Sequence, residues 1–222
     1  MSRHLAVDVD GTLTRPGRSA ALDPRALDAL HDFRGLVVVC TGKVLPNALS
    51  VCRYVGVDLN VVAETGGVVY AGGELSIHGD GEAARSFADE YRERHGSLGW
   101  GKHDLVNRWR ETEVAVSPDE DRDDVEEVAA EHGLETVYTG YAYHVKSPDV
   151  DKGSGLREAV GLLGGDVDDF VYVGDSENDV PGFGVAGRGV AVANADEAAR
   201  TAADHVTEGE YVDGLLEALE SL

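Results

Sequence analysis

The chain has 222 residues, 42% of them hydrophobic, which is enough for a buried core and excludes a disordered chain. Lysine and arginine total 19 against 42 aspartates and glutamates, a formal charge of −23 that repels nucleic acid and excludes it as a partner. Only four lysines occur, Lys43, Lys102, Lys146 and Lys152. This is the balance expected of a halophilic protein, because in molar salt a Debye length of about 3 Å screens the self-repulsion.

The first residues, Met1-Ser2-Arg3-His4, run straight into an apolar segment, so no signal peptide is expected. No apolar run approaches the ~20 residues that span a bilayer. The expectation is a soluble, cytoplasmic protein with no membrane partner. Cys40 and Cys52 read as two buried thiols of a reducing compartment, and no Cys/His spacing points to zinc.

In chain order, Leu5-Ala6-Val7 reads as a short strand, and 24–33 as a helix with Asp23 at the N-cap and Pro24 at its first position. Leu36 to Cys40 is a continuous apolar run, as in a strand covered on both faces. A helix over 45–55 and a strand over Asn60 to Ala63 follow, and this alternation predicts a parallel sheet. Val68 to Ile77 reads as a hairpin turning at Gly72-Gly73. The middle changes character: helices over 81–95 and 122–132, strands at 114–116 and 141–145, and an alternating pattern that predicts one wet face. The parallel pattern then returns, with helices at 153–163, 178–185, 196–203 and 211–220 and strands at 170–173 and 189–192. The fold class expected is α/β: a Rossmann-like parallel sheet core, residues 1–78 and 150–222, with an inserted α+β cap at 79–149.

Four strand ends carry the chemistry. Asp8-Val9-Asp10-Gly11-Thr12 follows the first strand. Residues i and i+2 of an extended chain point to one side, so Asp8 and Asp10 converge. A turn sealed by Asp hydrogen bonds explains one of these carboxylates but not both. Thr41-Gly42-Lys43 offers a hydroxyl and backbone N–H groups near a helix start, suited to an anion. Lys152 stands at another helix start, where a cation is disfavoured by the dipole. Gly174-Asp175-Ser176-Glu177-Asn178-Asp179 places Asp175 and Asp179, hard oxygen ligands of the kind magnesium prefers, after a late strand. In a parallel sheet these ends lie along one edge, and so many carboxylates require a cation between them.

These four motifs, in this order, resemble the haloacid dehalogenase superfamily of phosphatases along essentially the whole chain. The inserted domain looks like the α/β cap of its Cof-type subgroup. The moderate length and Glu64-Thr65-Gly66-Gly67 look most like its archaeal phosphoglycolate branch. Lys43 departs from the Arg common in related phosphatases; it can meet phosphate as a point charge but not as a bidentate fork.

The resemblance implies a nucleophile at Asp8 that forms an aspartyl-phosphate and a general acid/base at Asp10. It implies phosphoryl contacts from Thr41, Gly42 and Lys152, and Mg2+ held by Asp8, the Asp10 carbonyl, Asp175 and Asp179. Asn178 and Lys43 would support the site. The substrate would be a small phosphorylated metabolite, 2-phosphoglycolate first and another sugar or glycerate phosphate second. A receiver-type signalling domain also gathers Asp, Thr and Lys around magnesium, but it has neither the late acidic pair nor the cap. In the cap, Lys102, His103, Arg108 and Arg110 are candidates for a substrate carboxylate, with Arg108 and Arg110 sharing a face if their stretch is a strand. Trp100, Trp109, Tyr141 and Tyr143 read as cap core.

Overall fold

The computed structural model describes residues 4–16 and 21–221. It divides into two compact units, Met1–Ser76 with Asp151–Leu222 and Ile77–Val150.

The larger unit is built on an eight-stranded sheet: β1 (His4–Asp8), β2 (Val37–Cys40), β3 (Val61–Ala63), β4 (Val68–Ala71), β5 (Glu74–Ile77), and later in the chain β9 (Phe170–Gly174), β10 (Arg188–Ala191) and β11 (His205–Val206). Its order is β11-β10-β9-β1-β2-β3-β4-β5. Pairing is parallel from β11 through β3, and β4 runs antiparallel to β3. β1 is central, and the connections leave it in opposite directions, to β2 on one side and β9 on the other. That makes its carboxyl end the switch point where open α/β sheets bind ligands.

Alternate residues of the strands feed two cores. Leu5, Val7, Val39, Val61, Val171, Val173 and Val190 pack with Ala26 and Leu30 of α1 (Pro24–Asp32), Ala48 and Cys52 of α2 (Leu45–Val55), and Leu215 of the C-terminal helix Tyr211–Glu220. Ala6, Val38, Val62, Phe170, Tyr172 and Ala191 pack on the opposite face. Their partners are Leu156 and Ala159 of the helix Lys152–Leu162, Phe183 of Val180–Val185, and Ala199 of Glu197–Ala202. This period-two division explains why the strands read as unbroken apolar runs. Both cysteines are buried free thiols, and burial pushes Cys52 up to about 11.

In the smaller unit α3 (Gly81–His95) and α4 (Arg122–Glu131) accompany a three-stranded antiparallel sheet, β6 (Val114–Val116), β7 (Glu135–Tyr138) and β8 (Tyr143–Lys146), in the order β6-β8-β7. Asp80 and Asp121 accept from the first-turn N–H groups of the two helices. Phe87, Tyr91, Val114, Val116, Val125, Val128 and Val145 form the core. The remaining helices, in chain order, are α5 (Lys152–Leu162), α6 (Val180–Val185), α7 (Glu197–Ala202) and α8 (Tyr211–Glu220).

Several expectations for the smaller unit are corrected. The stretch holding Arg108 and Arg110 is a series of turns, not a strand. Asn107 breaks the pattern there: its side chain bonds both the N–H and the carbonyl of Ala115, at 2.8 Å each, and the Trp100 indole N–H reaches the same carbonyl at 2.7 Å. Side chains thus occupy the β6 edge where another strand would pair. Trp100 and Tyr143 pack on the core, but Trp109 and Tyr141 are more than half exposed. β6 has no wet face; all three of its residues are buried. β7 and β11 were not anticipated, because Glu135–Tyr138 lacks an apolar run and two residues are too few for a pattern. No helix among the described residues is long and apolar enough to cross a membrane.

Candidate active site

Asp8 is the last residue of β1 and is almost fully buried. Lys152 opens α5, whose N-cap Asp151 forms a reciprocal capping box with Ser154. The capping fixes the helix start despite the cation there. Gly66 brings that start close, since a Cβ on it would lie 2.0 Å from the Asp151 carbonyl oxygen. The Lys152 ammonium, 1% exposed, donates to Asp8 Oδ1 at 2.7 Å and to Asp179 Oδ1 at 2.7 Å. Two of its three N–H bonds are thereby used. Asp8 Oδ2 carries no hydrogen bond among the described residues.

Asp179 is completely buried and accepts five hydrogen bonds. Oδ1 takes Lys152 and the Tyr172 hydroxyl, the latter at 2.8 Å. Oδ2 takes the backbone N–H groups of Asp175 and Ser176, at 3.0 and 3.1 Å, and a longer contact from the Ser176 hydroxyl at 3.5 Å. Asn178 accepts from the Ser176 hydroxyl at 3.0 Å, within the same turn.

Asp8, Asp175 and Asp179 each bring a carboxylate oxygen within 4.8 Å of the others. Asp175 Oδ1 is buried without a hydrogen-bond partner. Gly11 makes room for this carboxylate: a Cβ would fall 2.0 Å from Asp175 Oδ2, and its φ of +85° suits glycine. Burial first, then the neighbouring carboxylates, push the Asp8 and Asp175 carboxyls well above their usual range, and Lys152 only partly offsets this. For Lys152 burial opposes the charge, but Asp179 and Asp8 outweigh it and hold the ammonium firmly protonated. An orphaned buried oxygen among crowded carboxylates is what a hard divalent cation satisfies, so the residues fit magnesium.

Asp10 lies two residues beyond Asp8 and is ion-paired with Lys43. Thr41 and Gly42 follow β2; the Thr41 hydroxyl accepts the Lys43 N–H at 3.2 Å and keeps its own O–H to donate. The structure thus joins Asp8, Lys152, Asp175 and Asp179 in one cluster and Asp10, Thr41 and Lys43 beside β1 and β2. Lys102, His103, Arg108 and Arg110 belong to the smaller unit. There Arg110 pairs with buried Glu113, and Arg108 lies over the Trp109 ring at 5.7 Å.

Sequence reasoning missed two supporting features and the backbone geometry of a third. Tyr172 read as one apolar residue in a buried strand. Asn194 donates to the Gly11 carbonyl at 3.0 Å and accepts from the Tyr211 N–H at 2.6 Å, tying the first loop to the start of α8. Glu64 and Thr65 both have positive φ (49° and 53°) and are buried. They reach back to the second motif, where Glu64 N–H meets the Lys43 carbonyl and Thr65 N–H meets the Thr41 carbonyl. Two adjacent non-glycine residues in that conformation store strain of the kind found at functional sites. The sequence signalled this stretch through the Glu64-Thr65-Gly66-Gly67 segment, but nothing in it gave the positive φ of its first two residues.

Comparison with known proteins places these features in a family. Residues 114–219 match the model of haloacid dehalogenase-like hydrolases. A phosphoglycolate phosphatase of Natronomonas pharaonis is 50% identical over 97% of this chain and 96% of its own length. One from Halorubrum lacusprofundi is 51% identical over 98% and 96%. A crystal structure of a Thermoplasma acidophilum protein superposes with a TM-score of 0.85 at 26% identity, covering all of both chains. The chain belongs to the haloacid dehalogenase-like hydrolases and is an enzyme of that family.

Proposed function

We propose that this enzyme is a magnesium-dependent phosphomonoester hydrolase that acts through an aspartyl-phosphate on Asp8, with 2-phosphoglycolate as its substrate. The observation that carries the reading is the buried ammonium of Lys152 held between Asp8 and Asp179, with one N–H left for a phosphoryl oxygen. Asp8 Oδ2 attacks phosphorus while the bond to the leaving oxygen breaks, and Asp10 gives that oxygen its proton. Asp10 then takes a proton from water, which attacks the acyl phosphate, releases inorganic phosphate and regenerates Asp8. Lys152, the Thr41 hydroxyl and the Gly42 N–H hold the phosphoryl oxygens. Phosphoryl transfer depends mostly on such positioning and charge neutralisation. Lys43 steadies Asp10, and Asn178 braces the 175–179 turn.

Magnesium, held by Asp8, Asp175 and the main-chain carbonyl of Asp10, would neutralise charge on the carboxylates and the phosphoryl group. Asp179 was expected as a further ligand. Its hydrogen bonds engage all of its lone-pair positions, so we assign it instead to anchoring Lys152 and the turn.

The choice of substrate is supported by the names of the haloarchaeal relatives at about half identity. The test is a steady-state screen of phosphomonoesters in high salt with magnesium. The expected result is multiple-turnover phosphate release, fastest from 2-phosphoglycolate. Faster release from a sugar or glycerate phosphate would replace the substrate. A single phosphoryl group taken up per chain would replace the enzyme with a receiver-like phosphate store.

A further inference from the structure

Tyr172 sits on β9, between β1 and β10, with its ring wholly buried. Its neighbours Val171 and Val173 face the opposite core, while Tyr172 faces the layer of α5 and α6. The ring meets Phe183 edge-on at 5.5 Å. It also fills the space above Gly182, where a Cβ would come within 2.4 Å of it. Phenylalanine would satisfy all of that packing. A tyrosine in this place adds one group, a buried hydroxyl that needs a partner, and the partner is Asp179 Oδ1 at 2.8 Å. That oxygen is the one that holds Lys152.

We propose that Tyr172 is a positioning residue of the active site: through Asp179, its hydroxyl fixes where the Lys152 ammonium stands relative to Asp8. This rests on the phosphoryl-transfer reading given above. The lysine chain is long and flexible, and the ammonium takes its place from the oxygens it meets. Asp8 changes during the reaction, so Asp179 is the constant one. Two backbone N–H groups lock its Oδ2, and a rigid ring rooted in the central sheet locks its Oδ1. Burial and the adjacent Asp179 keep the phenol protonated, so it acts only as a donor. Without it, Oδ1 would have Lys152 as its sole donor and would draw the ammonium away from Asp8.

The experiment is Tyr172→Phe, assayed with 2-phosphoglycolate and p-nitrophenyl phosphate in high salt across a magnesium titration. The expected result is a fall in kcat of about tenfold, the effect of one hydrogen bond to a charged group. KM and the magnesium concentration for half-activity should stay within about twofold of wild type. Phe183→Leu loosens the same ring but keeps the hydroxyl, and should lower stability without that fall in kcat. In an Asp179→Asn background the Tyr172→Phe substitution should have little further effect, because the two act in series.

An unchanged kcat, full additivity with Asp179→Asn, or a loss recovered by raising magnesium would overturn the assignment. So would a Tyr172→Phe protein that no longer melts cooperatively, since the hydroxyl would then be a folding element. Failure of the underlying reading looks different: wild type itself would release no phosphate from either ester.

Discussion

Lys152 Nζ and Asp8 Oδ1 stand 2.7 Å apart although 144 positions separate them in sequence. The pair is buried, and Asp179 shares the ammonium. Removing the ammonium leaves two carboxylates facing each other out of water. Lys152→Ala is expected to lower kcat by about 100- to 1000-fold and stability by about 3–5 kcal/mol. Steady-state kinetics and denaturant unfolding check the two effects, and a variant with wild-type kcat would remove Lys152 from the chemistry.

Asp8→Asn should end turnover while leaving the thermal melt close to wild type, because the amide fills the same space. Asp10→Asn should slow the reaction by about 10²–10⁴. Both are read by phosphate release. Sustained turnover by Asp8→Asn would dismiss covalent catalysis at that position.

Gly11→Ala introduces a methyl where the Asp175 carboxylate lies, at a backbone angle that alanine resists. We expect the magnesium concentration for half-activity to rise about tenfold or more, since a carboxylate ligand is displaced. The readouts are activity against magnesium and the magnesium-induced rise in melting temperature. A wild-type response in both would show that the 175 carboxylate does not hold the ion.

Asp23 accepts from the Arg25 side chain and its backbone N–H, and these bonds hold its carboxyl below the usual range. A carboxyl with a lowered folded pKa stabilises above its ordinary value near 3.8, and that stability is lost as the pH falls through the folded pKa. Asp23→Ala should cost about 1 kcal/mol at neutral pH through loss of the α1 cap. The gap from wild type should narrow as the pH drops below about 4. Unfolding midpoints at neutral and acid pH measure it, and a gap that widened in acid would contradict the argument.

The charge of −23 predicts that melting temperature climbs as KCl goes from about 0.1 M to about 3 M, where screening shortens to a few ångströms. A melting temperature indifferent to salt would show that the acidity has another cause.

Much of the core was legible because its strands are buried on both faces. Leu36–Cys40 and Phe170–Val173 read as unbroken apolar runs, and the Thr41 and Asp175 motifs follow them. Helix starts were legible where a cap and a proline coincide, as at Asp23-Pro24. Tyr172 was not, because a ring in an apolar run gives no sign of what its hydroxyl touches. Asp179 read as a magnesium ligand, and its bonds to Lys152 and Tyr172 were not legible, because they depend on the fold of the 175–179 turn and on a lysine 27 residues away. The 98–113 stretch misled because its aromatic residues suggest core, while Asn107 and Trp100 spend their hydrogen bonds on a strand edge.

Asn194 joins the Gly11 carbonyl to the N–H of Tyr211, and that link has a bearing on synthesis. Asp8 is synthesised before the groups that serve it. Its counter-charge lies 144 positions further along the chain, and the amide that secures the following loop comes later still. Until then the nascent chain carries its nucleophile without the groups that would let it react. A chain that stops before Asn194 would carry the nucleophile but could not assemble the loop that presents it.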